Sequence, residues 1–116
     1  MIRLKRIYDE PSEDDGCRVL VDRIWPRGVA KKDADLDEWC KAVTPSDELR
    51  KWFHEDVEGR WRQFRSRYAE ELRDADEGLD RLARMADDPG LTLVTAAADR
   101  EHNHTVVLKD VLEARR

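Results

Sequence analysis

Apolar and polar positions alternate over residues 2–8, where Ile2 and Leu4 are set among Arg3, Lys5 and Arg6. That period predicts a strand covered on one face. The polar run "DEPSEDDG" (residues 9–16) ends it. "CRVLVDRIW" (residues 17–25) is different, because Val19, Leu20 and Val21 are continuous and predict a strand buried on both faces. After a "PRG" loop, Asp33 can cap a helix whose Leu36, Trp39, Cys40 and Val43 stand at i, i+3, i+4 and i+7. The next helix opens with Thr44 as N-cap and Pro45 at its first position. Asp47 and Glu48 lie at its positive end, and Leu49, Trp52 and Phe53 form its stripe. Gly59 separates it from a helix carrying Trp61, Phe64, Tyr68 and Leu72. Leu79, Leu82 and Met85 mark a further helix, stopped by "DDPG". The last third reads as a short buried strand, "LTLVTAAA" (residues 91–98), a polar "DREHNH" loop, and a closing helix with Val107, Leu108, Val111 and Leu112 inward. Buried strands interleaved with helices predict an α/β fold: a small three-layer sandwich, with a short, largely parallel sheet and helices packed on it.

Composition narrows the class. At 116 residues the chain is expected to form one domain, residues 1–116, with a single core. Charged residues make up 42%, but 40% hydrophobic residues, four of them Trp, suffice for a core and exclude disorder. The net charge of -5 comes from 27 acidic and 22 basic residues spread along the chain. Without a basic stripe the domain is a poor fit to duplex DNA, whose phosphates need clustered cations. Cys17 and Cys40 form neither a disulfide framework nor a zinc signature, so they read as two unrelated reduced thiols. No leader-like or membrane-spanning apolar run is present, and the expectation is a cytoplasmic protein with no membrane role.

In open parallel sheets, ligands collect beyond the carboxyl ends of the strands. Two predicted strands end in polar clusters: Asp22, Arg23, Trp25 and Arg27 on one, Thr95, Asp99, His102, Asn103 and His104 on the other. If those strands are parallel neighbours, the clusters share one crevice. Arg23 and Arg27 offer permanently charged forks for a carboxylate or phosphate. Gly28 allows close backbone approach, and the closing helix presents free N–H groups near Asn103 and Thr105. Trp25 offers a face for a base or sugar. Asp22 or Asp99 would handle a proton, and His104 or Asn103 would orient a substrate. The predicted ligand is a small anionic metabolite such as a nucleotide or sugar phosphate, and no cofactor is implied.

Plainer readings attach to the same residues. Asp22 and Arg23 suit a structural ion pair, and Trp25 and Pro26 suit packing at the sheet edge. The consecutive "HNH" is not the dispersed nuclease motif of that name. His102, His104 and Asp99 lack a further spaced ligand, which argues against a metal. His54 reads as a helix-surface histidine. The aromatic stripes from Trp39 to Tyr68 read as core.

The chain resembles the YeaO-like proteins, a domain-of-unknown-function family of small bacterial and archaeal proteins. The likeness runs nearly end to end: "KRIYD", "RVLVDRIWPRG" followed by "LDEW", "TPSDELRKWFH", a central "F...Y..EL" helix, and "LTLVTAAADREHNHTVVLKDVL". It implies a compact α/β domain with Asp22, Arg23, Trp25, Pro26, Arg27 and Gly28 as a recurring motif, and it carries no activity or cofactor. Two functions follow as expectations. One is an enzyme or binder for a small anion in the crevice. The other is a non-catalytic domain docking a protein partner or a second copy of itself through an exposed aromatic surface on the Trp52–Trp61 helices. Single-stranded nucleic acid binding through Trp25 and the arginines is disfavoured by the net charge.

Overall fold

The computed structural model describes residues 2–115. Four strands, β1 (Ile2–Arg6), β2 (Cys17–Leu20), β3 (Glu38–Trp39) and β4 (Leu91–Thr95), pair wholly in parallel in the order β1-β4-β2-β3. The helices are α1 (Asp47–His54), α2 (Val57–Leu72), α3 (Asp76–Asp87) and α4 (His104–Arg115). This is the α/β sandwich that the hydrophobic pattern predicts.

Position in the sheet explains each strand's composition. β4 lies between β1 and β2 and is buried at every residue, as its continuous apolar run requires. β1 is an edge strand, which accounts for its alternating basic residues. The pleat then divides the core in two. Ile2, Val19, Val21, Leu91 and Leu93 face all four helices, packing with Phe53, Phe64, Tyr68, Leu79, Leu82 and Leu108. On the opposite face, Leu20 and Val94 pack with Ile7, Ala34, Trp25, Val29, Leu36 and Trp39. That third layer is built of loops and 3-10 turns rather than α-helix.

Arg18 fastens this irregular layer. Its side chain is buried on the sheet and donates to Asp15 Oδ2 at 2.7 Å and to the Asp35 carbonyl at 2.7 Å. Lys5 pairs with the other Asp15 oxygen at 2.8 Å. Burial pushes the Asp15 carboxyl up, but hydrogen bonds from Lys5, the Ser12 amide and Arg18 outweigh it and hold it at about 2.

Three local expectations are corrected. No helix runs from Asp33 to Val43; that stretch contains 3-10 turns at Lys31–Asp33 and Lys41–Val43, with β3 between them. Leu36 and Trp39 pack into the loop layer, whereas Cys40 and Val43 pack against the helices. The helical spacing therefore serves two faces of the sheet, not one stripe. Asp35 at φ 51 interrupts the chain, and Asp37 donates its amide to the Arg18 carbonyl while its carboxylate accepts from the Arg18 amide, drawing β3 onto β2. The N-cap of α1 is Ser46, whose Oγ accepts from the Leu49 amide, while Thr44 donates instead to the Lys41 carbonyl. Gly59 is no separator. It lies in the first turn of α2, its amide bonded to the capping Asp56 carboxylate.

Candidate functional site

β2 and β4 are parallel neighbours, so the two polar clusters do meet. Val21 N–H donates to the Val94 carbonyl as the strands end, and the chain then diverges on both sides. Asp22 bridges the gap. Its Oδ1 accepts from Thr95 Oγ1 at 2.6 Å, and its Oδ2 accepts from the Ala96 amide at 2.8 Å. His104, the first residue of α4, approaches the same Oδ1 at 3.2 Å and the Val21 carbonyl at 2.7 Å through Nε2. Both neighbours of Nε2 are acceptors, which places the ring hydrogen there. Burial raises the Asp22 carboxyl, but the hydrogen bond and charge of His104, with the Thr95 and Ala96 donors, outweigh it and hold it below its ordinary value. Nδ1 of His104 makes no hydrogen bond among the described residues and is not sealed from solvent.

Asn103 caps α4. Its Oδ1 accepts from the Thr105 amide at 2.8 Å, and its Nδ2 donates to the Asp99 carbonyl at 2.7 Å. Asp99 turns the loop, accepting from the amides of Glu101 and His102 at 2.9 Å each. These amide bonds, the Glu101 amide after that of His102, with the His102 ring, lower its carboxyl. A two-bond clasp from Arg100 to Asp9 ties this loop to the one following β1.

Between this strand-end platform and α1 lies a cavity of about 450 Å³. Phe53, Val57, Phe64, Ile24, Pro45 and Ala96 to Ala98 form its apolar lining. Its polar groups are Asp22, Arg23, Arg50, His54, Thr95, Asp99, His102, Asn103 and His104. Arg23 is anchored by Nε to the Pro45 carbonyl at 3.1 Å. Arg50 Nε is sealed from solvent without a hydrogen-bond partner. The positive potential reaches His54, whose imidazole is lowered by burial and then by Arg50 and His104.

Of the ten residues the sequence assigns to the crevice, seven line this cavity: Asp22, Arg23, Thr95, Asp99, His102, Asn103 and His104. The other three stand outside it. Trp25 packs edge-on against Trp39, with ring centroids 5.3 Å apart, and donates to the Val29 carbonyl within the loop layer. Arg27 and Gly28 (φ 80) are exposed on that loop. His102 and His104 have different partners: the former contacts Asp99 and stands roughly perpendicular to the Trp61 ring, the latter Asp22. Arg50 and His54 are the members that sequence reasoning missed. They are one helical turn apart on α1, and the packing of α1 over the strand ends puts both on the cavity wall, although His54 stays exposed, as expected of a helix-surface histidine. Trp52 lies under Arg60 and Arg67, and Trp61 packs with Phe53 and Phe64; the exposed large apolar residues among those described are Tyr8 and Ile24. No helix among the described residues is long and apolar enough to cross a membrane.

Comparison with known proteins places the chain in a family. Residues 1–116 match the family described as the inactive DUF488-N3 subclade. The chain belongs to it. The chain is 46% identical over 113 residues to the uncharacterized protein YeaO of Escherichia coli, covering 97% of each chain. It is 44% identical over 114 residues to the uncharacterized proteins Rv3073c of Mycobacterium tuberculosis and Mb3100c of Mycobacterium bovis, covering 98% of this chain and 95% of each of those. No solved structure matches the chain.

Proposed function

We propose that the crevice binds a small ligand with an apolar, aromatic-sized body and an anionic head, and that it does so without turning the ligand over. The observation that carries this reading is the pairing of an apolar cavity of about 450 Å³ with two guanidiniums, Arg23 and Arg50, along one wall. A volume of this size suits a small metabolite, and Arg forks match carboxylate or phosphate oxygens. The body would rest on Phe53, Val57 and Phe64, and the head would meet the arginines. His104 would offer its unbonded Nδ1 to a polar edge of the ligand.

The bonding of the acids supports binding without turnover. Asp22 already accepts hydrogen bonds on both oxygens, so it orients His104 rather than standing ready as a base. Among the described residues the lining includes no Ser or Cys, although a Thr is present and already bonded to Asp22. The description of the family as inactive agrees with this.

A thermal-shift screen of nucleoside monophosphates and sugar phosphates tests the reading. At a hundredfold excess over Kd, a true ligand stabilises by about 2.7 kcal/mol, on the order of 10 °C in Tm for a domain of this size. Arg50→Gln is expected to abolish the shift while folding normally. A shift that persists in that variant would place the ligand elsewhere.

A further inference from the structure

The two arginines share a neighbour. Asp47 Oδ1 stands 3.8 Å from Arg23 Nε and 3.4 Å from Arg50 Nη2. A single carboxylate oxygen therefore neighbours both guanidiniums, on a residue beside the cavity lining. It is loosely held there. Both distances are longer than the 2.7–2.9 Å of a good charge-assisted bond, and the Asp47 side chain is 58% exposed. The arginines are correspondingly under-used: Arg23 spends Nε on a carbonyl, and Arg50 has one long bond to Asp47 and an unpartnered Nε.

Building on the anion-binding reading, we infer that Asp47 is an internal counter-ion that an incoming anionic head must displace, and that it sets a threshold which a phosphate monoester clears and a carboxylate does not. A carboxylate head replaces one carboxylate by another, so the electrostatic gain at the arginines is close to nil. A phosphate monoester carries nearly two charges above its second pKa of about 6, and three acceptor oxygens. It outbids the single charge of Asp47 and can engage both guanidiniums at once. The displaced Asp47, already largely in solvent, swings outward on the first turn of α1 with no burial to undo.

The test is titration calorimetry at about pH 7.5 with two probes of matched body, phenyl phosphate and benzoate. The wild-type chain is expected to bind phenyl phosphate at least about tenfold more tightly than benzoate, the scale of one charge-assisted bond. Asp47→Asn removes the competitor common to both probes, so both should tighten by a similar factor of roughly three- to fivefold, the scale of an exposed ion pair. Asp47→Ser repeats the measurement with a residue well suited to a helix N-terminus. Glu48→Gln changes net charge equally in the same turn and should leave both affinities within about twofold. If phenyl phosphate binds and Arg50→Gln abolishes it, but the Asp47 variants behave as Glu48→Gln does, the counter-ion role is overturned while the anion site stands. Equal wild-type affinity for the two probes overturns the selectivity. Absence of phenyl phosphate binding to the wild type and to both Asp47 variants overturns the anion site and this inference together.

Discussion

Asp22 holds the strand ends together through one side chain. Its carboxylate joins β4, the segment leaving it, and the first residue of α4. Asp22→Asn keeps the shape but loses the charge facing His104, and is expected to cost about 1–3 kcal/mol. Because the folded carboxyl lies below its ordinary value, its stabilisation is complete above the unfolded pKa of about 4 and is lost as pH falls through the folded value. Urea unfolding at neutral pH should therefore separate the variant from the wild type, and the gap should narrow as pH falls below the unfolded carboxylate value of about 4. Tyr68 makes a simpler contribution. Its buried hydroxyl donates to the Val43 carbonyl, and burial drives its ionisation well above the usual range, with Glu71 adding to the effect. Tyr68→Phe leaves that carbonyl without its donor and is expected to cost about 1 kcal/mol, measured by the same unfolding curves.

Among the elements, α1 matters most for the crevice, because it carries Arg50, Phe53 and His54. Its start is set by Ser46, which accepts from Leu49 and donates to Glu71 of α2 at 2.6 Å. Ser46→Ala should lower stability by about 1 kcal/mol or more, while Thr44→Ala, outside the cap, costs less; thermal melts of the pair decide which residue caps the helix. At the opposite end of the sheet, Gly16 adopts φ 65, and a Cβ there would collide with the Gly90 backbone. Gly16→Ala is therefore expected to destabilise by well over the ~1 kcal/mol that a compatible substitution would change, visible as a lowered Tm.

For the molecule as a whole, the sheet's second face depends on charge rather than on a helix layer. Asp15, Arg18 and Lys5 connect the loops over it to the strands beneath. Removing one member of a buried ion cluster strands the others, so Asp15→Ala is expected to cost on the order of 3–5 kcal/mol. The sign with pH is that of a depressed carboxyl. The contribution is full above about 4 and disappears as pH falls toward the folded value of about 2. Acid should therefore loosen the loop layer, which amide exchange can follow at Leu20 and Val94 beneath it.

Read alone, the sequence determined the elements whose periodicity answers to one partner surface. β1, β2, β4, the stripes of α2 and α3, and the closing α4 are all legible from local spacing, because each presents a single face or is buried throughout. The pairing of the Asp22 and Thr95 ends was legible too, since buried strands interleaved with helices imply a parallel sheet whose carboxyl ends share one edge. Tertiary structure decided whatever depends on two surfaces at once. The 33–43 stretch has helical spacing, yet Leu36 and Trp39 fill one face of the sheet while Cys40 and Val43 fill the other. Arg27 and Arg50 are indistinguishable as residue types. The placement of α1 over the strand ends makes Arg50 a cavity residue and leaves Arg27 in solvent, because direction into a cavity is a property of packing between distant segments and leaves no local period to read.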